Sequence, residues 1–418
     1  MRPLLIILFL GIAAGAQLVH AELGKSCTIN PVFDITYGQC GSIDLDKVLS
    51  EYGSLIYIKA DDHGFYSIGI DKTGPDNLGI AYNQIVISRH LNNGKRDLSF
   101  NSGLGLRVDL PNTYGFSQGA RVPSVEVDRD GRLIFLARGF VGSGGITIIR
   151  VNRSGQIDET LQSRILYTPI LESPKILVSE HSRQIYVVNG DFYDRDSYSV
   201  NSFHEDGSSN PNFGDHGTVK LDIERATRSW AHLDSLVLQN SNLLILDRSL
   251  KFPKKLARLT ELNIQGKIVK AVEVDITHYF IGESSPKLIL VPNGKLLVLS
   301  GDRDKFDVAR YLQDGKLDVT FGDAGHIEVP KFTPYGLGEA RVDPLGRIYI
   351  IADWHKNNYK ARVIRFLENG AQDLSFNSGK ELQIEEIAYR GTVLDFVGYF
   401  GSDYRPLVSF SGKYSVFK

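Results

Sequence analysis

A motif built around one glycine recurs through this chain, and its period limits the fold more than any other feature. Clear copies read "LNNGKRDLSFNSGLG" at 91–105, "HEDGSSNPNFGDHG" at 204–217, "LQDGKLDVTFGDAG" at 312–325 and "LENGAQDLSFNSG" at 367–379. Weaker copies are "NRSGQIDETL" at 152–161 and "NIQGKIVKAV" at 263–272. The first glycines are Gly94, Gly155, Gly207, Gly266, Gly315 and Gly370, at spacings of 61, 52, 59, 49 and 55 residues. A period near 55 with drifting length describes tandem structural units with variable loops. A seventh, partial copy, "NPVFDITYGQCGSIDL" at 30–45, begins the array in mid-repeat. It is expected to follow the last strands in space, which is how a circular array closes.

Between copies the pattern is that of strands. Residues 271–276 (AVEVDI) alternate, and then come "PKLILV", the turn "PNG", "KLLVLSG" and "DVARYLQ". This reads as four short strands per unit with β-branched and aromatic residues at period two. The turns "DRDG", "VPNG" and "DPLG" supply the residues that tolerate positive φ and make Asx hydrogen bonds. No stretch carries a helical period. The expected architecture is all-β, a seven-bladed β-propeller of four-stranded antiparallel blades, with six or eight blades if an end is miscounted. Each unit is too small to cover its own apolar faces and relies on neighbours.

The segment "VARYLQDGKLDVTFGDAGHIEV" resembles the Delta-60 repeat family, whose units read roughly Arg-x-x-x-x-Gly-x-x-Asp-x-x-Phe-Gly-x-x-Gly. The resemblance runs over residues 30 to 418 and is degenerate around Gly155 and Gly266. It implies an exported bacterial propeller and no catalytic family.

Within the motif, five residues before the glycine stand Arg89, Arg150, Ser202, Glu261, Arg310 and Arg365. Three residues after it stand Asp97, Asp158, Asn210, Val269, Asp318 and Asp373. Arginine and aspartate occur together or not at all. A guanidinium–carboxylate pair across the turn explains this, because losing one partner strands the other charge. The motif is thus read as a structural turn. Phe321 is expected to plug between units, and Gly322 and Gly325 to allow the tight return. A calcium loop would need oxygen ligands where this repeat has Lys, Leu and Val.

The N-terminus, "MRPLLIILFLGIAAGAQLVHAELG", reads as a signal peptide over 1–21 cut after Ala21, leaving a single propeller domain over 22–418. No later segment approaches eighteen apolar residues, so no transmembrane segment is expected after cleavage. The product is expected to be exported, whether periplasmic, cell-surface or secreted. In an oxidising compartment Cys27 and Cys40, the only two cysteines, read as one disulfide. A zinc site would need two more ligands at suitable spacing. The formal charge of −2 offers no basic field for nucleic acid.

The loops at the end away from the motif vary, and variable loops on a rigid scaffold usually carry recognition. They hold an aromatic in each unit: Tyr52, Tyr114, Tyr167, Trp230, Tyr279, Tyr335 and Tyr389. Strands leading there end in Asp71, Asp191, Asp247, Asp302 and Asp353, and Trp354 follows the last. Tyr52, Tyr114, Trp230, Tyr279, Tyr335, Trp354, Asp191, Asp302 and Asp353 form the candidate ligand face, set against the reading that each aromatic packs under its own loop. The triplets Asp191, Asp194, Asp196 and Asp302, Asp304, Asp307 offer calcium two places, set against solvated loop acids. No cofactor is otherwise implied. No G-x-S-x-G, H-x-H or H-E-x-x-H motif is present. The first functional reading is a non-catalytic scaffold that binds a protein or a cell-envelope glycan. The second is a carbohydrate-active hydrolase or lyase with acids at the channel mouth. A gathering of non-repeated charged residues at one point would separate a site from the scaffold.

Overall fold

The computed structural model describes residues 5–9, 42–44, 54–61, 63–70, 84–91, 95–109, 121–138, 146–161, 165–166, 171–191, 197–222, 232–249, 256–275, 286–301, 305–330, 338–352, 361–384, 393–400 and 405–411. They form strands, turns and two short 3-10 segments, with no α-helix among the described residues. The strands make seven sheets of four.

Sheet I holds Ser54–Asp61, Gly64–Ile70, Gln84–Leu91 and Leu106–Asp109. Sheet II holds Arg121–Val127, Leu133–Arg138, Ile146–Val151 and Ile165–Leu166. Sheet III holds Leu171–Val178, Ile185–Asp191, Ser197–Phe203 and Thr218–Asp222. Sheet IV holds His232–Val237, Leu243–Ser249, Leu256–Leu262 and Ile268–Asp275. Sheet V holds Lys287–Leu290, Leu296–Gly301, Lys305–Tyr311 and His326–Pro330. Sheet VI holds Gly338–Val342, Ile348–Ala352, Ala361–Phe366 and Leu382–Ile384. In all six, sequence neighbours are sheet neighbours, as in a meander.

One expectation about unit boundaries is corrected. The strand over 271–276 was expected to open a unit with "PKLILV". It belongs to Ile268–Asp275, which pairs with Leu256–Leu262 of the preceding sheet. The strand that completes sheet V is His326–Pro330, after the motif. The motif is therefore a hairpin inside a sheet, joining its third and fourth strands.

Sheet VII is ordered Ser42–Asp44, Leu5–Phe9, Arg405–Ser411, Val393–Phe400. The partial N-terminal copy thus shares a sheet with the last strands of the chain. Between them runs Leu5–Phe9, from the segment read as a leader, paired in register from Leu5 with Ser411 to Phe9 with Leu407.

The chain divides into two compact units, one of Met1–Ser67, Arg89–Asp97 and His278–Lys418, the other of Ile68–Ser88 and Leu98–Thr277. Within the first, the apolar faces of sheets V and VI close on each other: Val298 apart, Leu297, Leu299, Val308 and Phe321 meet Ala340, Ile348 and Ile350. Within the second, sheets II and III share Ile134, Leu136, Ile148, Ile185 and Val187, and sheets III and IV share Tyr186, Tyr198, Phe213, Leu243 and Ile245. Middle strands such as Ile146–Val151 and Leu296–Gly301 are buried at every residue, because both faces are covered. The fourth strand His326–Pro330 alternates instead, so it reads as period two in the sequence.

Candidate functional site

The repeated turn is an ion-pair layer. Arg89 Nε lies 3.0 Å from Asp97, Arg150 Nε 2.8 Å from Asp158, Arg310 Nε 2.8 Å from Asp318 and Arg365 Nε 2.7 Å from Asp373. In sheet III the same two positions make a neutral bond, with Asn210 Nδ2 donating to Ser202 Oγ at 3.3 Å. In sheet IV, Glu261 turns instead to Asn242, whose Nδ2 donates to it at 2.6 Å.

Two further partners escaped the sequence reading. Asp158, Asp318 and Asp373 also accept from the hydroxyl two residues on: Thr160, Thr320 and Ser375, each at 2.6 Å. The signal was the D-x-[ST] triplet. The second partner is a cation at the end of the preceding turn, such as Lys295, whose Nζ donates to Asp318 at 2.8 Å. Burial alone would raise the Asp318 carboxyl, but Lys295, Thr320 and Arg310 outweigh it and hold it well below the usual range. Burial also opposes the shift in Asp373 and Asp158, and Ser375 with Arg365, and Thr160 with Arg150, likewise draw them down.

The motif arginines also reach the neighbouring sheet. Arg310 Nη1 donates to the carbonyl of Glu368 in sheet VI, and Arg150 Nη1 to that of Glu205 in sheet III. Beside these bonds the Phe-Gly step docks on the next turn: Gly322 N–H donates to Asn369 O at 2.9 Å, and Gly214 N–H to Gln265 O at 2.9 Å. The motif glycine permits the approach. A Cβ on Gly370, whose φ is +86°, would sit 2.5 Å from Gly322 N. Phe321 is fully buried under Arg310, whose guanidinium lies 4.3 Å from the ring centroid. The opening motif is therefore a clasp between adjacent sheets.

Onto this repeated layer the junction of sheets II and III adds charges that the described residues of the V–VI junction lack. Between sheets II and III the carboxylate of Glu205 is held from both sides. Arg132 of sheet II donates to it at 2.6 Å, and Arg183 of sheet III at 2.7 and 3.0 Å. Arg132 is itself aligned by Asp128, 2.7 Å from its Nε. Asp130 lies 3.2 Å from Arg132, and Arg129 donates to the carbonyl of Glu180 at 3.3 Å. These groups line a cleft of about 270 Å³, counting the solvent at its mouth, floored by Ile134, Val178 and Ile185. The two guanidiniums, Arg183 first, hold Glu205 below the ordinary carboxylate range.

Arg183 stands in an unusual place. The turn between the first and second strands ends with a left-handed residue, which is Gly131, Gly294 and Gly346 in sheets II, V and VI, at φ of +72°, +79° and +78°. Sheet IV has Ser241 there, at φ +67°, and sheet III, whose turn is one residue longer, has Arg183 at φ +57°. A residue with a Cβ pays about 1 kcal/mol for that conformation. Its side chain is 42% exposed and aimed at Glu205.

The sequence-derived ligand face falls largely outside the described residues. Tyr52, Tyr114, Trp230, Tyr279, Tyr335, Trp354, Asp302 and Asp353 lie outside the described residues, as do Cys27, Cys40, Asp194, Asp196 and Asp304. Asp191 ends its strand in sheet III. Asp247 is buried, accepts from Tyr198 Oη at 2.9 Å and from Arg258 at 3.1 Å, and is raised by that burial. Asp307 is also buried, with both oxygens 3.0 and 3.1 Å from His326 Nδ1. Among the described residues no group of three or more His, Cys, Asp or Glu is disposed to hold a metal ion. No helix among them is long and apolar enough to cross a membrane.

No family model matches the chain, and no curated protein does. Among solved structures, the periplasmic gluconolactonase of Pseudomonas aeruginosa is similar over 92% of this chain and 96% of its own, with 13% identity and a TM-score of 0.48. Virginiamycin B lyase from Staphylococcus aureus is similar over 86% of this chain and 94% of its own, with 11% identity and a TM-score of 0.46. A Lactobacillus plantarum protein covers 80% and 86%, with 12% identity and a TM-score of 0.47. At these levels the similarities name neither a reaction nor a ligand for this chain.

Proposed function

We propose that the chain is an exported, non-catalytic β-propeller of seven four-stranded blades, of the Delta-60 kind, acting as a scaffold that binds a protein or a cell-envelope glycan. The observation that carries the binding reading is the junction of sheets II and III. There Arg129, Asp130 and Arg183 differ from their counterparts at the V–VI junction and gather with Glu205 at one cleft. The V–VI junction makes the same clasp without counterparts of Arg129, Asp130 and Arg183, so the clasp itself does not call for them.

The chemistry of the cleft suits association. Its carboxylates are paired with guanidiniums, and Glu205 is held below its usual range. A general acid for glycoside cleavage needs the opposite shift. Asp247 has that shift, but it is sealed beneath Tyr198 and paired with Arg258. The cleft lining carries no aromatic ring, and rings are the usual platform for sugars, so a protein partner fits this cleft better than a glycan.

The test is affinity capture from envelope extract together with a glycan array, using the full chain with and without calcium. A specific partner that is bound and released unchanged is expected. Turnover of a polysaccharide or lactone, abolished by one substitution in the cleft, would make the chain an enzyme.

A further inference from the structure

We infer that the cleft between sheets II and III receives an acidic side chain of a partner protein, read by Arg183 and Arg132 in the place that Glu205 now holds. This rests on the binding-scaffold reading and narrows it to one site and one chemistry.

The first support is Arg183 itself. At the left-handed end of the corresponding turn, sheets II, V and VI use glycine and sheet IV uses the small Ser241. A long charged side chain there gains the backbone nothing and carries the cost of the left-handed conformation. What arginine adds is a guanidinium that enters the cleft from sheet III, opposite Arg132 from sheet II.

The second support is the resident of the clamp. Glu205 bonds both guanidiniums and is still 30% exposed. Exchanging its carboxylate for an incoming one conserves charge and hydrogen bonds, so the exchange costs little beyond ordering the ligand. At the V–VI junction the equivalent Glu368 accepts only the neutral Asn293 amide, at 2.6 Å, among the side-chain bonds described for it. Among the described residues the two-guanidinium clamp is present at II–III and not at V–VI.

The third support is the rim. Arg129 and Asp130 are 45% and 42% exposed and present both signs beside the clamp. A mixed rim matches a protein surface, which carries both signs, better than a uniformly anionic polysaccharide.

Fluorescence anisotropy tests this on the full chain. The probes are a labelled peptide of alternating Ala and Glu, its Ala–Gln counterpart, and labelled oligogalacturonate. The Glu peptide should bind and weaken with salt, and the Gln peptide should not bind. Glu205→Gln should bind the Glu peptide at least about threefold tighter, since a neutral amide competes less for the guanidiniums. Arg183→Gly should lose at least about tenfold in affinity while melting no lower than wild type. Equal binding by Arg183→Gly, weaker binding by Glu205→Gln, or a clear drop in melting temperature of Arg183→Gly would overturn the assignment. So would binding of oligogalacturonate without the peptide, which would give the cleft to sugars. A partner captured equally by wild type and Arg183→Gly would sink this site and leave the scaffold reading standing, whereas no partner and no peptide binding would sink both.

Discussion

The junctions V–VI and II–III are built on one plan and finished differently. In both, a motif arginine spans from its own aspartate to a carbonyl of the next sheet. At V–VI the left-handed turn residues are Gly294 and Gly346, and the glutamate at the turn meets an amide. At II–III an arginine takes the glycine's place, and the glutamate is gripped by two guanidiniums. The shared part is what holds sheets together. The unshared part marks where the repeat has been altered at a cost to its own backbone.

The largest expected effect comes from breaking the shared part. Arg310 and Asp318 are both 5% exposed, and removing one leaves the other charge buried. Asp318→Ala, which takes the carboxylate from buried Arg310, should cost about 3–5 kcal/mol, and Arg310→Ala less, since Lys295 still pairs with Asp318. Sheet III shows that a neutral pair can replace them, as Ser202 and Asn210 do. Arg310→Ser combined with Asp318→Asn should therefore cost less than the two single changes added, as urea unfolding would measure. Full additivity would mean that the pair does not act as a unit.

The next effect comes from the docking of one turn on another. Ala at Gly370 would bring Cβ to 2.5 Å from Gly322 N and 2.8 Å from its Cα, both backbone atoms with nowhere to retreat. With φ at +86° the substituted residue is strained as well. A loss of about 2–3 kcal/mol is expected. A loss under about 1 kcal/mol would mean that the two sheets separate easily at this contact.

How much of this could be read beforehand follows from sequence distance. Arg310 and Asp318 lie eight residues apart across one hairpin, so their joint presence or absence was visible along the chain. Strand content was visible for the same reason, since period and turn residues are local. The assignment of the fourth strand failed because adjacency in sequence was taken for adjacency in the sheet, while pairing runs through the motif hairpin. The clamp on Glu205 was not legible. Arg132 lies 73 residues away, and nothing in the string S-R-Q at 182–184 announces a left-handed arginine. Aligning the turns by their final glycine would have exposed it.

Acid separates the motif layer from the buried Asp247. Asp158, Asp318 and Asp373 have folded pKa values below their unfolded ones. Their stabilisation is full above the unfolded value, about pH 4, and is lost as pH falls toward the folded values. Asp247 has the opposite sign: its folded value is raised by burial, so it costs stability near neutrality, and that cost fades on acidification. Urea midpoints should fall below about pH 4 in wild type and fall less steeply in Asp318→Asn. Asp247→Asn should look more favourable, relative to wild type, at pH 7 than at pH 4. Parallel pH profiles for wild type and both variants would remove the carboxylates from the account.

The smallest effect bears most directly on what the difference between the junctions means. Gly294→Ala introduces a side chain at the position that Arg183 fills in sheet III. Its Cβ would meet the amide end of Gln313 at 2.4 Å, a flexible group that can swing aside, so the backbone sets the cost. That cost should be about 1 kcal/mol. Arg183→Gly runs the same change backwards and relieves a similar strain, against the loss of an exposed ion pair that contributes little. The two nearly cancel, so its stability should stay close to wild type. If Arg183→Gly instead unfolded the protein more readily than Gly294→Ala, arginine would be serving the fold, and the departure from the repeat would no longer point to a partner. If the two variants behave as expected, folding gives no reason for Arg183, and the reason must lie in what the cleft meets.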